Sequence, residues 1–238
     1  MILQACLNGA RPGDTPGLPM TPDEVAEDAL ACRAAGADCL HLHPRDFWGQ
    51  ESLAPGDVAA HLRAVRGAVP GMAVGISTGD WILPRQGRLR DMLGWTERPD
   101  YVSVNLSEPD APEVIALMAQ IGVAVELGLA SIADLDRLLA LPPVPHALRV
   151  LVEMDRGALD VTMPVALNLL GRLQEALPDL PVLLHGFDAS AWGYVVAARD
   201  FGCDTRIGLE DCLQLPDDRP AGNAEMVAVA RRIQERRS

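Results

Sequence analysis

The sequence predicts an α/β protein, a single (β/α)8 TIM barrel in which residues 1–238 form one domain. The main observation is alternation: a strand pattern followed by a helix pattern occurs eight times in 238 residues, which suits a compact barrel. In addition, polar or ionisable residues follow nearly every strand, and in a barrel these strand ends line one mouth. An open doubly wound sheet is the competing fold, but no GxGxxG motif follows the first strand.

The elements are predicted from apolar periodicity and from the turn residues that bound each run. The predicted strands cover 2–7, 37–43, 72–77, 101–105, 123–127, 148–153, 181–185 and 204–209. The predicted helices cover 22–35, 55–69, 85–93, 111–121, 131–141, 161–176, 189–201 and 223–236. The first helix has the clearest start, because Thr21 can cap it, Pro22 suits its first position and Glu24 completes a capping box. Gly36 is expected to end it.

Composition narrows the class of protein. The chain is 49% hydrophobic, so a large core is available, yet no apolar run reaches membrane-spanning length and no basic signal segment opens the sequence. Five cysteines without CxxC spacing predict reduced thiols and a cytoplasmic location. A net charge of −13 argues against nucleic acid and anionic membranes as partners. A small anionic ligand would need only a local group of arginines.

The second strand carries two histidines on one face. Side chains alternate along a strand, so His41 and His43 point the same way, and Pro44 ends the strand directly after them. Two imidazoles two residues apart can bind one metal ion. The alternative is two unrelated histidines, one of them packed in a core.

The eighth strand supplies a third candidate ligand. Alternation places Arg206, Gly208 and Glu210 on one face, and strand eight closes against strand one, next to strand two. Glu210 can therefore join the two histidines, and two His plus one carboxylate with an open position is a catalytic zinc pattern. The alternatives are that Glu210 caps a loop and that Arg206 and Asp211 form an internal ion pair.

The remaining strand ends are less specific. Ser77-Thr78-Gly79 either donates hydrogen bonds to a substrate carboxylate or forms an ordinary turn, and Asn105 ends strand four. For Glu126 and Glu153, a general base and a partner for a buried arginine both stay open. His185 is either a substrate contact or a support for one. His61 is expected on a helix surface and His146 in a loop.

Four segments together resemble the β-keto acid cleavage enzymes, whose named prototype is 3-keto-5-aminohexanoate cleavage enzyme. They are Asn8-Gly9-Ala10, His41-Leu42-His43-Pro44-Arg45-Asp46, Ser77-Thr78-Gly79 and Arg206-Ile207-Gly208-Leu209-Glu210-Asp211. Their order and spacing match over essentially the whole chain. The resemblance implies a zinc-dependent (or other divalent-metal-dependent) barrel enzyme that converts a β-keto acid and acetyl-CoA into acetoacetate and a new acyl-CoA. It also favours a homo-oligomer, with a tetramer preferred.

The resemblance also implies roles for individual residues. His41, His43 and Glu210 would be the metal ligands, and Arg206 with Asp211 the dyad that handles the proton or the enolate. Ser77, Thr78 and Glu126 match positions that contact substrate or take part in proton transfer, and Asn105 joins the expected substrate-binding set. The chain is shorter than typical members, and its loops after strands four, six and seven depart from the family pattern.

Arg11 is expected to bind the far end of the substrate and so to select which substrate is used. The family uses the first loop to contact the variable group, where an acidic residue suits an amine. An arginine instead suits a second carboxylate, which it can bind with two parallel hydrogen bonds. The alternative is that Arg11 points to solvent or pairs with Asp14.

Two other functions compete with this interpretation. One is a metal-dependent hydrolase or isomerase on the same barrel that does not use CoA. The other is a non-enzymatic protein that binds a metal or a small acid. It is ranked last, because the loss of Arg206 or Asp211 would have favoured it and both residues are present.

Overall fold

A computed structural model describes residues 1–154 and 156–236. Eight strands alternate with eight helices in this part of the chain. The strands are β1 (Leu3–Cys6), β2 (Cys39–Leu42), β3 (Ala73–Ser77), β4 (Tyr101–Asn105), β5 (Ala124–Leu129), β6 (Ala147–Met154), β7 (Val182–Gly186) and β8 (Thr205–Ile207). The helices are α1 (Pro22–Ala34), α2 (Pro55–Ala68), α3 (Arg85–Leu93), α4 (Ala111–Ile121), α5 (Ile132–Ala140), α6 (Leu159–Ala176), α7 (Ala191–Phe201) and α8 (Asn223–Glu235).

The strands form one parallel sheet that curls into a nearly closed barrel. Its order is β7-β6-β5-β4-β3-β2-β1-β8, so each strand lies beside its neighbour in sequence and β8 returns to β1. The seam between β7 and β8 is closed by the parallel bridge of Leu183 with Asp204. This arrangement confirms the predicted (β/α)8 fold.

Local signals set most helix ends. The Thr21 side chain accepts a hydrogen bond from the Glu24 backbone N–H, and the Glu24 carboxylate accepts one from the Thr21 backbone N–H, as the capping box predicts. Helices α3 and α4 have the predicted bounds. The observed β2 ends at Leu42 and the observed β8 at Ile207, so His43 and Glu210 lie in the turns that follow their strands. Within the described residues, no helix is long and apolar enough to cross a membrane.

The apolar core lies between the sheet and the surrounding helices, whereas the inside of the barrel is partly polar. Gln4, Tyr101, Glu126 and Arg149 are buried there and bonded to one another. Gly75 leaves room for the Tyr101 ring, since a β-carbon at this position would collide with it. This polar layer forms the floor beneath the mouth of the barrel.

Two expectations about single residues are wrong. His61 is buried in α2, with only 1% of its surface exposed, because its ring turns inward and its Nδ1 meets the carbonyl of Asp57. The second expectation follows from the predicted alternation of β8, in which Gly208 faces the lumen with Arg206 and Glu210 and leaves room between them. The structure shows that Gly208 does not serve this purpose. A β-carbon there would meet the Cys6 carbonyl and the Asn223 side chain, so the glycine permits close packing against β1 and α8. All five cysteines are free, and His146 is exposed in a loop as expected.

Candidate active site

Three candidate metal ligands meet at the carboxyl ends of β2 and β8. One ligand atom from each of His41, His43 and Glu210 lies within 4.8 Å of the other two. His41 Nε2 is 3.8 Å from Glu210 Oε2, and His43 Nε2 is 3.7 Å from Glu210 Oε1. Strand β1 pairs with both β2 and β8, which brings these distant parts of the sequence together.

The first loop fixes the positions of two of these residues. The Asn8 side chain accepts a hydrogen bond from the His43 backbone N–H and donates one to the His43 carbonyl. Gly9 has a positive φ of 57°, and a β-carbon there would run into the Glu210 side chain. The Asn8-Gly9 pair is therefore required by the local geometry of the site.

Both imidazoles are oriented through their Nδ1 atoms. His43 Nδ1 lies 2.5 Å from Glu51 Oε1, and the other oxygen of Glu51 accepts a bond from the Trp81 indole. His41 Nδ1 lies 3.4 Å from Ser103 Oγ, whose hydroxyl donates to Glu126. These contacts leave both Nε2 atoms directed at Glu210. Sequence reasoning missed Glu51, Trp81 and Ser103, because no local pattern marks which loop residue reaches a histidine ring.

The donor set fits a divalent cation. Glu210 Oε2 is buried and has no hydrogen-bond partner, although buried carboxylate oxygens are normally paired. Burial lowers the pKa of His41 to about 4, so its ring is neutral and can donate a lone pair. Burial also opposes protonation of His43, but Glu210 and Glu51 raise its pKa to about 9, so a cation would have to displace that proton. Two imidazoles and a carboxylate could hold zinc with an open position.

A cavity of about 240 Å³ opens beside these residues. Its wall includes seven predicted residues: Arg11, His41, His43, Ser77, Asn105, Arg206 and Glu210. Eight further residues complete it: Ala10, Pro12, Trp81, Ser103, Leu151, Glu153, Arg156 and Phe187. The predicted metal-ligand and substrate-binding residues thus share one small polar cleft.

Three predicted residues lie behind the wall. The Thr78 hydroxyl is buried and donates to the Ser103 carbonyl. Glu126 is fully buried and pairs with Arg149 at 2.6 Å. Asp211 is also fully buried. None of the three lines the cavity, so each can influence a substrate only through a neighbouring side chain.

Arg206 connects these buried groups to the cavity. Its Nη2 donates to Asp211 Oδ1 and to Glu210 Oε1, both at 2.8 Å, and its Nε donates to His185 Nδ1 at 3.2 Å. Asp211 thereby holds the guanidinium, which places a fixed positive charge beside the candidate ligands. Such a charge can stabilise an anion that develops in the cavity.

The rim of the cavity carries two further arginines. Arg11 Nη2 pairs with Asp188 Oδ1 at 2.8 Å, and its Nε donates to the Leu209 carbonyl. Arg156 pairs with the second oxygen of Asp188 and lies over the Phe187 ring. Arg11 therefore faces the cavity and pairs with Asp188, not with Asp14. Two guanidinium groups share one carboxylate, so these three side chains together carry a net positive charge.

The sequence model of the β-keto acid cleavage enzymes matches residues 1–238. The chain belongs to this family. A curated relative, the 3-oxoadipate:acetyl-CoA acetyltransferase of Cupriavidus necator, is 32% identical over 114 residues, which cover 47% of this chain and 39% of that protein. The chain thus covers well under two thirds of this relative's length.

Solved structures agree on the fold of this β-keto acid cleavage family member. The apo structure of ObcA superposes with a TM-score of 0.73 at 17% identity and covers 91% of this chain and 61% of ObcA. A binary complex of ObcA with oxaloacetate gives 0.72 at 18% identity, over 91% of this chain and 63% of ObcA. A type I 3-dehydroquinate dehydratase from Clostridium difficile gives 0.67 at 12% identity, covering 100% and 93%. At these identities the likeness shows the barrel fold alone.

Proposed function

We propose that this protein is a zinc-dependent β-keto acid cleavage enzyme that uses acetyl-CoA as its co-substrate. Membership of the family supports the reaction class. The observation that carries the proposal is that His41, His43 and Glu210 meet at a cavity whose wall also contains Arg206. The Cupriavidus necator relative, named for 3-oxoadipate and acetyl-CoA, supports the choice of co-substrate.

The proposed reaction exchanges acyl groups between two carbon skeletons. The enolate formed at C2 of the β-keto acid attacks the thioester carbonyl of acetyl-CoA, and CoA thiolate leaves. The thiolate then attacks the original keto carbonyl, the C2–C3 bond breaks, and acetoacetate and a new acyl-CoA are formed. When bound, the metal ion polarises the keto carbonyl as a Lewis acid.

The chain's own residues would stabilise and orient the reacting groups. Arg206 faces the cavity and would stabilise enolate charge, while Asp211 holds the guanidinium in place. Ser77 and Asn105 present a hydroxyl and an amide on the same wall, where they can bind the substrate's carboxylate and carbonyl. Thr78 and Glu126 would act by holding Ser103, which contacts His41.

The proposed metal site is tested by elemental analysis. Wild-type protein is expected to hold one divalent ion per chain, and a His41→Ala, His43→Ala double variant is expected to hold none. An exposed His146→Ala variant is the matched control. Equal metal content in the wild type and the double variant would contradict the site.

The proposed reaction is tested with metal-loaded protein, acetyl-CoA and a panel of β-keto acids, with products identified by mass spectrometry. A new acyl-CoA and an equal amount of acetoacetate are expected. Arg206→Ala should lower kcat by about 100- to 1,000-fold while the metal stays bound, because a charge partner of the transition state is lost. The exposed Arg63→Ala is the control. Loss of the β-keto acid without acetyl-CoA would support a hydrolase or isomerase instead.

We also propose that the substrate carries a second carboxylate at its far end. Arg11 faces the cavity from the first loop, and the rim it shares with Arg156 and Asp188 has a positive balance. The named substrate of the Cupriavidus necator relative, 3-oxoadipate, is a β-keto dicarboxylate. Arginine binds a carboxylate with two parallel hydrogen bonds, so it suits such a group better than an amine.

This substrate preference is measured as a ratio of kcat/KM values for a β-keto dicarboxylate and an amino β-keto acid. The wild type is expected to favour the dicarboxylate, and Arg11→Glu to reverse the preference. Arg63→Glu, which makes the same change on an exposed helix surface, should leave the ratio unaltered. A wild type that prefers the amine, or an Arg11→Glu ratio equal to the wild type's, would show that Arg11 does not select the substrate.

A further inference from the structure

The outer end of the cavity carries two arginines, and one of them, Arg156, has no role in the proposed reaction. Arg156 follows β6 and Arg11 follows β1, and both line the cavity wall. The Arg156 side chain is 58% exposed, so a ligand in the cavity can reach its guanidinium. The third arginine of the described wall, Arg206, is already held by Glu210 and Asp211. Arg11 and Arg156 are therefore the cations that face the outer part of a substrate.

A single carboxylate holds both guanidinium groups from behind the cavity wall. Asp188 Oδ1 lies 2.8 Å from Arg11 Nη2, and the second oxygen pairs with Arg156 Nη1. Asp188 does not line this cavity; it lines a neighbouring pocket between the loops after β1, β7 and β8. Each arginine uses one terminal nitrogen for Asp188, and its other terminal nitrogen bonds to no described residue. One terminal nitrogen of each arginine is therefore available to a ligand.

Backbone contacts fix the position of Asp188. Its φ is 47°, in the left-handed region that aspartate and asparagine tolerate better than most residues. Its N–H donates to the Asp211 carbonyl at 2.7 Å, so it is tied to the turn after β8 that carries Glu210. Because Asp188 is anchored in this way, the two guanidinium groups are held at a set place relative to the reaction centre.

The Phe187 ring sets the separation between the two ends of the cavity. The ring lines the cavity, and its centre lies 5.9 Å from the Arg206 guanidinium carbon and 5.2 Å from that of Arg156. One phenyl ring therefore lies between the arginine of the reaction centre and the arginine at the outer end. Its apolar surface suits methylene groups, whereas the arginines suit carboxylates. This order matches a short chain with an anionic group at each end.

We propose that Arg156 is a further specificity-determining residue, which binds the second carboxylate of a short β-keto dicarboxylate together with Arg11. Asp188 is the positioning residue that holds the two guanidinium groups for this purpose. The inference rests on the proposed function and adds the second cation: each arginine binds one oxygen of the carboxylate, and the methylene groups of the substrate lie against Phe187. An uncharged end would leave both arginines without an anionic ligand, so the pair selects against it.

Kinetics with a matched pair of substrates test the role of Arg156. The pair is a β-keto dicarboxylate and a β-keto acid of the same length that ends in a methyl group. Arg156→Gln should lower kcat/KM for the dicarboxylate about 10- to 100-fold, mainly through KM, because a hydrogen bond to a charged group is lost. The value for the methyl-ended acid should stay near that of the wild type. Arg172→Gln, which removes an exposed arginine of α6 that also pairs with an aspartate, is the matched control.

Asp188→Asn tests the positioning role, because asparagine keeps the left-handed turn but pairs more weakly with arginine. A smaller loss for the dicarboxylate is expected, again in KM and not in kcat. Calorimetric titration of metal-loaded protein with a saturated dicarboxylate, which cannot react, should give the same order of affinities: wild type, then Asp188→Asn, then Arg156→Gln. Tighter binding by Asp188→Asn would show that Asp188 competes with the ligand, and would overturn its positioning role.

The outcomes separate this inference from the proposed function. An unchanged preference in Arg156→Gln, with the preference altered in Arg11→Glu, overturns the role of Arg156 and leaves the proposed function standing. Equal losses for both substrates overturn it too, since they show general damage to the cavity. Dicarboxylate binding that depends on Arg156, with no acetoacetate formed from acetyl-CoA, supports the arginine pair and contradicts the cleavage reaction. A wild type without preference for the dicarboxylate overturns both the second carboxylate and this inference.

Discussion

At the scale of single residues, the orientation of His43 depends on one carboxylate outside the candidate ligand set. Glu51 lies 2.5 Å from His43 Nδ1, and the Trp81 indole donates to its second oxygen at 3.0 Å while its ring stacks near His43. A carboxylate in this position fixes which ring nitrogen faces a metal and increases the ring's basicity. Glu51 should therefore affect metal affinity without touching the ion.

Glu51→Gln is expected to weaken metal binding by about 10- to 100-fold, because such partners of ligating histidines typically matter by that factor. Chelator competition on the purified protein gives the affinity without any assay of activity. Trp81→Phe, which removes only the indole donor, should cause a smaller loss. Exposed Glu113→Gln serves as the control. An unchanged affinity in Glu51→Gln would show that His43 is oriented by other contacts.

Site residues whose positions follow from strand periodicity could be predicted from the sequence. Site residues whose positions depend on the folded shape of a loop were missed. His41 and His43 share a strand face, and Glu210 follows the strand that closes the barrel, so their meeting could be inferred from alternation and fold alone. Glu51 sits eight residues after His43, beyond a turn in which Asp46 accepts bonds from the backbone of Trp48 and Gln50. Only the folded shape of that turn shows that Glu51 returns to the histidine.

At the scale of elements, Asn223 at the start of α8 joins three parts of the barrel. Its amide donates to the Leu7 carbonyl after β1 and to Asp28 on α1, and its oxygen accepts a bond from the Leu209 backbone after β8. Burial raises the pKa of Asp28 to about 6, against the opposing hydrogen bond from Asn223. The stability of the contact between α1 and α8 should therefore depend on pH.

The folded state binds the Asp28 proton more tightly than the unfolded chain does. Protonated Asp28 therefore adds most to the free energy of unfolding below about pH 4. The free energy of unfolding should fall as pH rises from about 4 to 6, by at most about 3 kcal/mol, and level off above that. Asp28→Asn should remove this part of the pH dependence, as urea denaturation at several pH values would reveal. Exposed Glu27→Gln on the same helix is the control. Parallel pH profiles for Asp28→Asn and the wild type would contradict the shift.

Helix ends were easier to predict than strand ends, and the reason is physical. The start of α1 follows from Thr21 and Glu24, which bond to backbone within one turn. The end of β8 depends on where its ladder with β1 stops, and that ladder joins residues about 200 positions apart. Strand ends thus depend on long-range pairing that a local pattern does not contain.

At the scale of the whole molecule, the candidate ligands lie next to the seam of the barrel. Strand β8 pairs with β1 but is joined to β7 by one bridge, so the seam is the least paired part of the described sheet. Because His41 lies on β2, His43 directly follows it and Glu210 follows β8, a bound ion would connect strands on both sides of β1. Metal binding should therefore stabilise the entire fold.

Saturating metal, at about 100 times its Kd, should add about 2.7 kcal/mol to the free energy of unfolding and raise Tm by about 5–10 °C. Differential scanning calorimetry with and without chelator measures the shift. The Glu210→Gln variant should lose most of it, whereas Glu175→Gln should keep it. A Tm that does not respond to metal in the wild type would argue against a site that joins the end of β2 to the end of β8.

We also propose that the protein is a cytoplasmic homo-oligomer, with a tetramer preferred. Its free cysteines fit a reducing compartment, and several large apolar side chains are exposed, including Phe47 at 93% and Trp48 at 80%. Light scattering at micromolar concentration should give a mass near four times 25.5 kDa. A particle of 25.5 kDa would contradict the proposed assembly.

The position of Glu210 so late in the chain has a consequence for biosynthesis. When the ribosome has made both histidines, the third ligand and its strand do not yet exist, and at about 5–20 residues per second they follow roughly 10 to 30 s later. The nascent chain can hold an ion there only weakly during that interval. Binding of the proposed metal ion would thus be a late event, after strand β8 has paired with β1.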